Sequence, residues 1–207
     1  MTISENLKKN LEYFSGQEID LAKISITAVL DLAAQLNIPA EDLLHCDLKE
    51  KDKAKNIQFV IMDCDGVLTD AGMIYTAEGD EIKKFNAKDG MGIKFLKERG
   101  IKTGIISAGR EPRMIERRAE MLGIDHVYVG TRPKIEVLNE WVNEMDIIPE
   151  NIAYIGDDVS DIPIMEVVGF TACPADAVPA VRKTVDVILP LKGGEGVVRE
   201  WIDRYLI

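Results

Sequence analysis

Phe59-Val60-Ile61-Met62-Asp63-Cys64-Asp65-Gly66-Val67-Leu68-Thr69 is the stretch on which the fold turns. An apolar run of strand length ends on two carboxylates two residues apart and breaks at a glycine. Two anions at the open end of a buried strand repel each other and resist desolvation, so they need a cation, a proton or a phosphoryl group to hold. Taken alone, Asp65-Gly66 reads more readily as a solvated turn. A second cluster at the end of another strand-like run, Ile155-Gly156-Asp157-Asp158-Val159-Ser160-Asp161, reverses that reading and points to a site.

Outward from these two clusters, β-rich runs over 58–63, 101–107, 126–130, 152–157, 169–173 and 185–189 alternate with amphipathic runs over 90–99, 111–122, 134–145 and 161–168. The strands are apolar throughout rather than alternating, which predicts an α/β fold with a doubly wound, Rossmann-like parallel sheet covered on both faces. Ligands bind such sheets at the carboxyl ends of the strands. Between the first strand and the first helix, Gly72-Met73-Ile74-Tyr75 and Glu81-Ile82-Lys83-Lys84-Phe85 flank Thr76-Ala77-Glu78-Gly79-Asp80, the pattern of a β-hairpin. Residues 1–55 read as a helical extension, with Ala22, Ile26, Val29, Leu30, Ala33 and Leu36 on one stripe and the charged run 49–56 as a solvated linker. Residues 56–207 read as the main domain. Gly193-Gly194-Glu195-Gly196 lacks a following Gly-Lys-Ser/Thr and reads as a flexible entry to a last helix rather than a phosphate loop.

With 207 residues, 25 Lys+Arg and 36 Asp+Glu, the chain carries a formal charge of −11. That balance argues against nucleic acid and against anionic membrane surfaces, and admits an anionic substrate only where local cations or a metal reverse the field. Three scattered cysteines with no C-x-x-C pair argue against structural zinc and fit a reducing compartment. No stretch resembles a signal peptide or a membrane span, so a cytoplasmic location is expected.

Four strand ends carry polar groups in order: Asp63 and Asp65, then Ser107, then Lys134, then Asp157, Asp158 and Asp161. This series resembles the motifs of the haloacid dehalogenase superfamily phosphatases, and the match rests on all four signals together. The resemblance implies that Asp63 is the nucleophile forming an aspartyl-phosphate and Asp65 the acid that protonates the leaving alkoxide and later activates water. It implies Mg2+ held by the carboxylates of Asp63 and Asp157 and the backbone carbonyl of Asp65. Ser107 and Lys134 would bind phosphoryl oxygens, with Asp158 and Asp161 supporting from behind.

Further stretches, Phe85-Asn86-Ala87-Lys88-Asp89-Gly90-Met91-Gly92-Ile93 and Gly193 to Glu200 among them, look like the 3-deoxy-D-manno-octulosonate 8-phosphate phosphatase family over about residues 57–204. That likeness implies a capless enzyme of lipopolysaccharide biosynthesis acting on a phosphorylated sugar acid. It also implies a homotetramer in which one subunit's hairpin approaches its neighbour's site, and substrate contacts from Asp89 and Arg110. The family also holds phosphatases of nine-carbon keto-sugar-acid 9-phosphates, expected to lack the arginine kept here as Arg110. Two departures stand out: Ser107-Ala108-Gly109-Arg110 has one residue more than the usual Ser/Thr-Gly-Arg, and residues 1–55 exceed the minimal family member. Two other classes compete. A serine hydrolase would use Ser107 with His126 as base, and a receiver-like domain would keep a phospho-aspartate as a signal.

Overall fold

The computed structural model describes residues 3–207; Met1 and Thr2, assigned above to the helical extension, lie outside the described residues. Four short helices come first, α1 (Ile3–Ser15), α2 (Ile26–Leu36), α3 (Ala40–His45) and α4 (Leu48–Lys53). Then come β1 (Phe59–Met62) and a hairpin of β2 (Ile74–Tyr75) and β3 (Glu81–Ile82). The rest alternates: α5 (Ala87–Glu98), β4 (Lys102–Ser107), α6 (Pro112–Leu122), β5 (His126–Val129), α7 (Lys134–Met145), β6 (Ile152–Ile155), α8 (Ile162–Met165), β7 (Phe170–Cys173), α9 (Pro179–Thr184), β8 (Val187–Ile188) and α10 (Val197–Trp201).

Six strands pair in parallel in the order β5-β4-β1-β6-β7-β8. Counted along the chain that is third, second, first, fourth, fifth, sixth, so the winding reverses between β1 and β6, and the crevice for a ligand opens above that seam. Side-chain alternation along β1 splits the core. Val60 and Met62 face a layer containing α5, α6 and α10, whereas Phe59 and Ile61 face α7, α8 and α9. The expected doubly wound sheet is thus present, and only the hairpin stands between β1 and α5, with no cap domain inserted.

The N-terminal region departs from its sequence reading. The charged run 49–56 is no linker: α4 occupies it, capped by Asp47, whose carboxylate accepts from Glu50 N, and Leu48 and Ala54 are buried. Lys49, Asp52, Lys53 and Lys55 are exposed while Leu48 and Ala54 join the core, so a run of charge hid an amphipathic turn. Only Val29 and Ala33 of the α2 stripe are buried; Ile26 is 78% and Leu30 53% exposed. The helices pack on the α10 side, where Asn10, fully buried, donates to the Leu43 and Cys46 carbonyls and accepts from Leu48 N. Arg204 donates to His45 O at 2.7 Å.

Candidate active site

Asp63 follows β1 and Asp157 follows β6, so the two strands flanking the seam each end on a carboxylate. The backbone continues the pairing, Asp63 N donating to Ile155 O at 2.9 Å. Asp63, Asp157 and Asp161 bring carboxylate oxygens within 4.8 Å of one another. Gly66 makes that approach possible. Its φ of +91° is left-handed, and a Cβ there would overlap the Asp157 carboxylate. Behind Gly66 sits Gly193, where a Cβ would overlap Gly66 O, and Gly194 N donates to Val67 O at 3.0 Å. The glycine run read as a flexible entry is therefore packed tightly against the loop that follows Asp63.

Lys134, at the start of α7 and nearly buried, places Nζ 2.9 Å from Asp63 Oδ1 and 2.6 Å from Asp161 Oδ1. Burial disfavours its charge, yet the Asp63 and Asp161 carboxylates outweigh that and hold its pKa above the ordinary value. Asp161 is saturated. Oδ1 accepts from Lys134 and from Tyr154 OH at 2.6 Å, and Oδ2 accepts from the Asp157 and Asp158 backbone N–H groups. It therefore orients Lys134 and the 157–158 turn and has no lone pair to spare for a cation. Asp158 is exposed and caps its own turn through Val159 N.

Asp157 differs. Its Oδ1 is buried with no hydrogen-bond partner, and burial together with Asp63 and Asp161 pushes its pKa up to about 8. Burial likewise holds Asp63 above the usual carboxylate range despite Lys134. An orphaned buried carboxylate oxygen beside a second carboxylate is a donor set of hard oxygens, and it fits a hard divalent cation.

Ser107 ends β4, buried, its Oγ accepting from Gly109 N at 3.2 Å. Arg110 is exposed and has no hydrogen bond or ion pair among the described residues. Asp65 Oδ1 accepts from Thr69 Oγ1 at 3.3 Å and from Lys83 Nζ at 2.6 Å. Asp89 does not reach this crevice. At 1% exposure it accepts from Arg199 N at 2.8 Å at the start of α10, and burial raises its pKa to about 6. The expectation that it binds substrate is corrected on that ground, since a carboxylate sealed beneath a helix end meets no ligand. The serine-hydrolase alternative also fails geometrically. His126 pairs in register with Gly104, three residues back along β4 from Ser107, and packs against Phe59 and Trp141.

Tyr154, Thr69 and Lys83 were not singled out from sequence. Tyr154 sits inside an apolar strand run and carried no signal. Lys83 carried one: Glu81 and Lys83, two apart on an extended segment, project to the same side of a hairpin that directly follows the carboxylate motif.

Comparison with known proteins agrees with this geometry. The family model of haloacid dehalogenase-like hydrolases matches residues 91–169. The chain is 42% identical over 156 residues to the 3-deoxy-D-manno-octulosonate 8-phosphate phosphatase KdsC of Escherichia coli K12, covering 75% of this chain and 82% of that protein. The crystal structure of 3-deoxy-D-manno-octulosonate 8-phosphate phosphatase from Moraxella catarrhalis, in complex with magnesium ion, phosphate ion and KDO, superposes with a TM-score of 0.74 at 37% identity. That match covers 76% of this chain and 90% of the other. The cobalt-bound form of the deoxy-D-mannose-octulosonate 8-phosphate phosphatase YrbI from Haemophilus influenzae gives a TM-score of 0.71 at 38% identity, covering 74% of this chain and 90% of the other.

Proposed function

Because the chain belongs to the haloacid dehalogenase-like hydrolases, among the 3-deoxy-D-manno-octulosonate 8-phosphate phosphatases, we propose that it is a Mg2+-dependent phosphoric monoester hydrolase of that eight-carbon sugar acid phosphate. The observation that carries this reading is the pairing of Asp63 with Lys134 at 2.9 Å beside the unpartnered Asp157 Oδ1, at the carboxyl ends of the two seam strands. The carboxylates of Asp63 and Asp157 and the Asp65 backbone carbonyl would hold Mg2+, which supplies positive charge between an anionic nucleophile and a phosphate dianion.

The chain's own groups do the rest. Asp63 Oδ1 accepts from Cys64 N at 2.6 Å and from Lys134, so Oδ2 is the oxygen left to attack phosphorus in line. As the Asp63–phosphorus bond forms and the bond to the sugar oxygen breaks, Asp65 gives that oxygen a proton. Water then attacks phosphorus, Asp65 takes its proton, and the Asp63–phosphorus bond breaks. Ser107 and Lys134 meet the phosphoryl oxygens on which charge builds. Arg110, exposed and unpaired among the described residues, is free to take the substrate's carboxylate bidentately.

The site is open above the strand ends. Met73, Ile74, Tyr75 and Ile82 present an exposed apolar hairpin, which supports an assembly, proposed as a homotetramer, in which a neighbour's hairpin closes the crevice. Residues 1–55 belong to packing rather than chemistry in this reading. Among the described residues no helix is long and apolar enough to cross a membrane, which supports a cytoplasmic enzyme.

The reading is tested by ranking kcat/KM for eight-carbon and nine-carbon keto-sugar-acid phosphates with Mg2+ and with chelator. The eight-carbon ester should lead, and Arg110→Ala should erase that lead while sparing p-nitrophenyl phosphate. Phosphate release undiminished in chelator would sink the reading.

A further inference from the structure

The proposed mechanism asks Asp65 to deliver a proton and then to accept one, and both steps require its carboxylate to face one spot. What holds it there comes from outside the nucleophile loop. Lys83, just past β3, lies 2.6 Å from Asp65 Oδ1 and 2.9 Å from Glu81 Oε1. Its side chain is only 5% exposed, on a hairpin that otherwise shows its apolar residues to solvent. A buried ammonium persists where acceptors are fixed around it. Here one acceptor is the hairpin's own Glu81 and the other belongs to the site.

Thr69 Oγ1 donates to the same Asp65 oxygen. Oδ2, by contrast, has no hydrogen bond among the described residues and faces Gly109: a Cβ on that glycine would lie 3.8 Å from Asp65 Oδ2 and 3.2 Å from Ser107 Oγ. The unengaged oxygen therefore turns toward the end of β4, the side on which Ser107 would receive the phosphoryl group. An oxygen that already accepts from an ammonium and a hydroxyl has no place for a proton of its own.

We propose that Lys83 is a positioning residue for this reaction: together with Thr69 it occupies Asp65 Oδ1, so that Oδ2 is the atom that passes the proton to the leaving oxygen and takes one from water. The inference rests on the phosphatase reading above. It also makes the hairpin part of the catalytic apparatus of its own subunit, through a polar arm distinct from its exposed apolar face.

The test is the rate of the first turnover in Mg2+-loaded protein, with two esters of different leaving groups. A sugar oxygen needs a proton to leave and p-nitrophenolate does not. Lys83→Met should slow alcohol release from the sugar-acid 8-phosphate about 10²-fold, within the range of a lost general acid, and leave the p-nitrophenolate burst within about threefold. Lys83→Arg should recover most of the loss. Asp65→Asn should show the same selectivity, and adding Lys83→Met to it should cost nothing further, since both act through one group. Lys83→Gln, run alongside and checked by circular dichroism, serves if Met unfolds the hairpin. Equal losses on both esters, or none, would overturn the role of Lys83. A folded wild-type protein that releases phosphate from neither ester would overturn the phosphatase reading itself.

Discussion

Acidic side chains in two regions of this molecule are treated in opposite ways. In the N-terminal layer the carboxylates serve local structure: Asp47 caps α4, and the hydrogen bond from Lys55 leads the forces holding Asp52 below the usual carboxylate range. At the β1–β6 seam Asp63 and Asp157 crowd each other, burial leads, and both are held above that range. The first region spends its charges on folding. The second holds two of them in surroundings that disfavour their charge, the pattern expected of a functional site.

The largest way to break this contrast is Asp63→Asn. The amide nearly matches the carboxylate in shape, so the fold should stand while turnover falls by about 10⁴-fold or more, the scale of losing a nucleophile; phosphate release and circular dichroism check the two halves.

Next is the pH dependence of the metal-free protein. An acid whose pKa is raised in the folded state binds its proton more tightly there, so its stabilising contribution is full below the unfolded value near 3.8 and is lost as pH rises toward about 8 for Asp157. In chelator the melting temperature should therefore be higher at pH 5.5 than at pH 8, by about 5 °C for a chain of this size. Added Mg2+ should reverse the difference. Asp157→Asn should remove much of the pH dependence together with the metal response, as read by thermal denaturation and metal titration.

The reverse experiment belongs to the N-terminal layer. Asn10→Ala strands the Leu43 and Cys46 carbonyls and the Leu48 N–H, and should cost about 2–3 kcal/mol in denaturant unfolding with kcat unchanged. The smallest effect is expected at Ile26→Gln or Leu30→Gln, within about 0.5 kcal/mol, because those exposed side chains bury little in this chain. A larger loss in solution would mean that another surface covers them.

How much of this was legible in sequence follows the same division. The sheet was readable because its strands are continuous apolar runs with polar residues at one end, and the α7 boundaries at Lys134 and Met145 follow from periodicity alone. The order of Asp63, Asp65, Ser107, Lys134, Asp157 and Asp161 singled them out as candidates, and the structure brings Asp63, Lys134, Asp157 and Asp161 together. What failed was anything decided by a distant partner. Asp89 looks like a site residue from its local motif, but its partner is Arg199 N, and no local pattern records that contact. The stripe on α2 was periodic, yet which part of it is covered depends on how α3 and α4 pack, and α4 itself was hidden by its lysines.

The contact of Gly193 with Gly66 bears on when the protein becomes competent during its own synthesis. The loop after β1 leaves the ribosome well before the 193–194 backbone that braces it. A nascent polypeptide that has not yet made residues 193–194 can hold its first strands without the brace on that loop, so the proposed site is completed by a segment distant in sequence rather than by its own neighbours.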